Sequence, residues 1–202
     1  MSELKFEVDQ NHNSTGVSDR AAALAAAKVR WKNSAHESAH SCVALLLNIP
    51  FDFVMLDESG GMLEADYPSR SDAFNYACMN AAGLVVSHYF DPEHSIINVL
   101  RGEGADDFLG IRQLLLLHLF GSNKPYEKHR HKTQKIVSSI FWSRVLPVAV
   151  AMVHDHLEEI RAIALALYKA GKLQREEVQE IVLSAFSSPA FSERAEGREV
   201  AA

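Results

Sequence analysis

The stretch AHESAHSCVALLLN, residues 35–48, restricts the fold more than any other part of the chain. Small and apolar residues fill it almost without a break, which suits a helix packed closely by its neighbours. Two histidines, His36 and His40, stand four apart, with Glu37 directly after the first. On a helix, positions i and i+4 share one face, with Cβ atoms about 5–6 Å apart. Both imidazoles can therefore reach one metal ion, and Glu37 projects one step round, towards a water beside that ion. The helix must stop at Asn48-Ile49-Pro50, because the residue before a proline is pushed out of helical angles.

The rest of the chain reads as further helices around a small hairpin. Residues 1–17 lack periodicity and are expected to be a flexible arm. Ser18 caps a helix through the alanine-rich AAALAAAKVRW. FDFVML and MLEADY alternate around ESGG, which is a β-hairpin signature. After a turn at Pro68–Asp72, DAFNYACMNAAGLVVSHYF has the spacing of a buried helix, and residues 91–104 read as a loop. Asp106 and Asp107 open the helix FLGIRQLLLLHLF, where acidic side chains suit the positive helix end. A long helix over 130–170, kinked near Pro147, closes at Gly171. Leu173–Phe186 forms the last helix, and 187–202 a frayed tail. The expectation is a single mainly α domain over 18–186 with a small β-hairpin or sheet.

Composition narrows the function classes. A net charge of −6 and a pI near 5.9 give no electrostatic footprint for nucleic acid or an anionic membrane. The basic EKHRHK at 127–132 reads as a solvated turn. Cys42 and Cys78 both sit in apolar helical patterns, which fits a reducing compartment better than a disulfide framework. The polar start carries no secretory signal, and the apolar runs at Leu114–Leu117 and Leu146–Val153 are too short to cross a bilayer. The expected setting is cytoplasmic, with no nucleic-acid or membrane partner.

A catalytic zinc site needs a third protein ligand and one open position. One class of zinc proteases places that ligand six residues beyond the second histidine, after a glycine, but those positions are Leu46 and Val43 here. A distant carboxylate must serve instead. The pair Asp106-Asp107 follows a glycine-bearing loop and opens a helix, so either aspartate can be held rigidly.

These segments together resemble the peptidase domain of the FtsH-type AAA proteases. HESAHSCVALLLNIP is similar to that family's HEAGHA helix and hairpin. Gly104-Ala-Asp-Asp-Phe108 resembles its Gly-Ala-Ser-Asn-Asp-Leu segment, AAGLVVSHYF more loosely its Gly-Gly-Arg-Ala-Ala-Glu-Glu segment, and HLEEIRAIALALYKAGKLQREEVQEIV its closing helices. The likeness runs over about residues 20–185 in the same order. It implies a helical zinc-peptidase fold, Zn²⁺ held by His36, His40 and Asp107, with Asp106 as the alternative, and Glu37 as general base. It also implies a polypeptide substrate and assembly into a homo-oligomer. Ser38-Ala39 replaces the family's Ala-Gly pair, and no G-x-x-x-x-G-K-[ST] phosphate loop occurs, so unfolding by ATP would come from a separate ATPase partner. The expected function is an ATP-independent zinc endopeptidase of unfolded or flexible polypeptides. The alternative is a catalytically idle zinc-binding module that docks on such a partner, and a small-amide hydrolase with the same zinc and glutamate is a third reading.

Other titratable residues have plainer readings. His154 and His156 flank Asp155 before an amphipathic helix, and His118 packs on a leucine-rich one. Cys42 lies about 240° round the helix from His36, in the core. Asp72, Glu93 and Glu103 are candidates to support the zinc histidines from behind, and the strand Met62–Tyr67 or Phe51–Leu56 offers an edge to substrate.

Overall fold

The alanine-rich segment and the histidine stretch are one continuous helix, α1 (Ser14–Leu46), about 50 Å long at 1.5 Å per residue. It starts at Ser14 rather than at the expected cap, Ser18. The computed structural model describes residues 14–57, 60–90, 95–102, 104–123 and 130–186, so most of the expected arm and the whole tail lie outside the described residues. Residues 19–30 of α1 are almost all exposed, whereas 34–44 are buried except for the half-buried His36. Small side chains make the second half possible, since alanine, serine and cysteine let neighbouring helices close in from several sides. Its buried hydroxyls are satisfied by helix carbonyls: Ser34 Oγ donates to Ala164 O at 2.6 Å and Ser38 Oγ to Ser34 O at 2.7 Å.

Asn48 ends α1 in the left-handed region at φ 54°, with Ile49 N–H bonding Ala44 O and Asn48 N–H bonding Leu45 O. This is a glycine-type stop made by asparagine. The hairpin follows as β1 (Phe51–Leu56) and β2 (Gly61–Ala65), with Val54 opposite Leu63. A third strand, β3 (Lys172–Gln174), was expected to be helix; instead Leu173 pairs with Val54. The sheet is antiparallel in the order β2-β1-β3. β1 is therefore central and cannot offer an edge to substrate; β2 is an outer strand.

Helix α2 (Ala73–Phe90) packs across the buried half of α1. The expected loop at 91–104 contains a short helix, α3 (Ile96–Arg101), before α4 (Ala105–Phe120), which stops at Gly121 with φ 71°. A continuous helical run then covers Arg130–Asp155 as α5 (Arg130–Ile140), a π turn (Phe141–Val145) and α6 (Leu146–Asp155). The expected kink near Pro147 is this π turn: proline lacks an N–H, and just before it Leu146 N–H reaches back to Phe141 O. Thr133, Val137, Phe141, Val145, Ala149 and Val153 are all buried. Such a row of every fourth residue drifts about 40° per step round an ideal α-helix, and the wider π turn takes part of that back. The expectation that no segment is long enough to cross a bilayer needs correcting, because this run qualifies by length and composition. Its buried row is nonetheless part of the protein core.

His156 separates α6 from α7 (Leu157–Ala170), which lies along α1 and stops at Gly171 with φ 78°. The last helix, α8 (Arg175–Phe186), starts after β3. The architecture is mainly helical with a small antiparallel sheet, as the periodicity indicates.

Candidate metal centre

His36 and His40 stand one turn apart on the buried half of α1, with Nε2 atoms 3.0 Å apart and ring planes nearly perpendicular. Asp107, in the first turn of α4, brings Oδ2 to 2.8 Å from His36 Nε2 and 3.6 Å from His40 Nε2. Three ligand-type atoms from two helices thus form a triangle with edges of 2.8, 3.0 and 3.6 Å. Ligands bound at about 2.0–2.1 Å to a tetrahedral zinc stand roughly 3.3 Å apart, so the donor set fits a small divalent ion. His36, Glu37 and His40 also lie close enough to one another to share a metal ion. Asp106 is exposed and lines the mouth of the cleft.

Both imidazoles are held from behind by α2. His40 Nδ1–H donates to Met79 O at 2.9 Å, which leaves Nε2 as the metal-facing atom. His36 Nδ1 pairs with Ser87 Oγ at 2.9 Å. The predicted supports differ: Asp72 accepts from Ser69 Oγ in the turn before α2, and Glu93 and Glu103 lie outside the described residues. Ser87 and the Met79 carbonyl are the supports that sequence reasoning missed. A serine four residues beyond a helical glycine is the only trace they leave in the sequence.

Two glycines make room for the site. A Cβ on Gly83 would fall 2.5 Å from the His40 ring and 2.7 Å from His36 Cε1, so α2 can lie against both imidazoles only without a side chain there. A Cβ on Gly61, the first residue of β2, would overlap the Glu37 side chain. The outer strand therefore runs directly beside that carboxylate.

The charges respond to this crowding. Burial raises the Glu37 pKa, and the electrostatic influence of His40 and His36 beside it only partly opposes that. Burial also pushes His40 down, but the charge and hydrogen bond of Asp107 more than offset it and bring the pKa to about 9. Asp107 is the reciprocal case: desolvation raises it, and the two histidines reverse this and hold it well below the usual carboxylate range. Without a metal, a proton on His40 takes the place of the cation.

The site opens into a cleft of about 380 Å³, lined also by Lys32, Asn33, Gly60, Ser87 and Phe90. The other titratable groups stay outside it. Cys42 is fully buried, and burial together with Glu159 pushes its thiol up to about 12, in line with the core reading. Cys78 is likewise buried and pushed up to about 11. His118 packs against the Phe74 ring, and His154 and Asp155 are a solvent-exposed pair 3.4 Å apart. His94 lies outside the described residues. A scan against protein-family models and a search of curated proteins return no match for this chain.

Proposed function

We propose that the chain is a zinc-dependent endopeptidase acting on unfolded or flexible polypeptides, with no ATP-driven step of its own. One observation carries the reading: a two-histidine, one-carboxylate triangle has a buried glutamate beside it and an outer β-strand running past that glutamate. The likeness of HESAH and the Gly104–Phe108 segment to FtsH-type peptidases points the same way. His36, His40 and Asp107 would hold the ion. Zinc, when bound, supplies Lewis acidity that polarises a carbonyl oxygen and makes water a usable nucleophile near neutral pH.

The chain's own groups do the rest. Glu37 has the task of a general base: a raised pKa brings it closer to neutral, where it takes a proton from the attacking water and returns it to the leaving amine. The Met79 carbonyl and Ser87 hydroxyl fix the imidazole orientations. The outer edge of β2 offers backbone groups to an extended polypeptide, which adds as a further strand.

Glu37→Gln tests the assignment. It should retain about one zinc per chain while cleavage of an unstructured peptide falls by about 10²–10⁴-fold. Retained cleavage would sink the peptidase reading. A native chain that holds zinc and cleaves no peptide would instead fit the idle zinc-binding module or the small-amide hydrolase.

A further inference from the structure

The helical run Arg130–Asp155 fully buries only one of its rows, with Ile140, Leu146 and Met152 half-buried beside it. The row pointing most directly away consists of Lys135, Ser139, Ser143, Pro147, Ala151 and Asp155, all exposed. Because the buried row stays buried from Thr133 to Val153, this parallel row also runs straight along the outer face. Its interior is small, and Ser143 Oγ is already bonded to Ser139 O at 2.7 Å, so the hydroxyl makes no demand on solvent. Large apolar side chains flank it, with Ile136, Trp142, Val148 and Val150 each more than a third exposed. A small ridge between apolar shoulders is the shape into which another helix packs closely.

The row is also self-complementary in charge. Read in opposite directions about the level of Val145, Lys135 meets Asp155, Ser139 meets Ala151, and Ser143 meets Pro147. In a two-fold interface each pairing occurs twice, because residue i contacts j and j contacts i. We infer that α5–α6 pairs antiparallel with the same helix of a second copy of the chain, the small residues at the centre and a Lys135–Asp155 ion pair at each end. A lipid surface is the weaker occupant. Arg144 is exposed in the middle of the run, where a charged side chain is costly in hydrocarbon, while Lys135 and Asp155 stand near its two ends. This inference is independent of the peptidase reading.

Sedimentation velocity of the full chain, from low concentration up to about 100 μM, reads the association directly. A dimer is expected; a native chain that stays monomeric throughout overturns the inference, and one that is monomeric yet co-sediments with phosphatidylcholine vesicles assigns the face to lipid. Ala151→Arg, at an exposed helical position, should abolish the dimer, and persistence of the dimer overturns the inference. The charge arms test direction. Lys135→Glu and Asp155→Lys should each weaken association about tenfold, and the double variant should restore it. Failure of that rescue rules out the antiparallel register.

Discussion

At the scale of single residues, the candidate metal centre depends on an atom that is missing. Gly83 leaves room for two imidazole rings, and its substitution reaches the site without touching a ligand. Gly83→Ala should keep the helical fold and weaken metal binding by about 10–100-fold, the range typical of groups that support a metal site from behind. Isothermal titration with zinc measures it; unchanged affinity would mean that α2 can back away at little cost. His36, Glu37 and His40 were legible because an i, i+4 pair on a helix is a local fact. The short acidic run likewise exposed Asp107, though its register against Asp106 is a matter of which carboxylate turns towards α1. Ser87, Met79 and Gly83 were not legible, since their roles come from the way one helix crosses another.

At the scale of elements, stops were readable and pairings were not. Asn48 and Gly171 end helices where the sequence indicates, and Pro147 marks a disturbance that takes the form of a π turn. β3 escaped notice because three residues carry no alternation, and their extended form is imposed by β1 alongside. Element packing also positions the candidate third ligand. α4 starts at buried Gly104, where a Cβ would overlap Leu84 of α2 and lie 3.1 Å from Val99 O. Gly104→Ala should therefore push the first turn of α4 off α2 and carry Asp107 with it. Zinc affinity would drop while the His36–His40 pair stays in place, which ¹H–¹⁵N spectra of the two imidazoles can follow. An affinity equal to native would show that α4 is positioned by other contacts.

For the whole molecule, the metal and the proton compete for one fold. The His40 pKa is raised to about 9 from an ordinary 6.5, so in metal-free protein its contribution is fully present below about 6.5 and is lost as pH rises through 9. Asp107 is shifted the other way, so its contribution is present above its ordinary 3.8 and is lost only as pH falls through its depressed value. Metal-free protein should consequently melt at falling temperatures between pH 6.5 and 9, whereas zinc-loaded protein should not. Thermal melts at several pH values compare the two, and a flat metal-free series would contradict the ion-pair arrangement. Chelation at pH 7 should lower Tm, by the mass-action stabilisation that a bound ion provides, and leave helix content intact. Collapse of the helix signal would make the metal a folding requirement.

The buried half of α1 has a consequence for time rather than for affinity. Two of the three candidate ligands belong to a stretch enclosed by α2 and α7, while Asp107 approaches from the cleft side on the end of a separate helix. His40 cannot swing away unless the core opens, whereas His36 and Asp107 both face the cleft, so a bound ion would have one side by which to leave. Exchange of metal with the surroundings would proceed at the pace of these two cleft-side groups, whatever the affinity of the site.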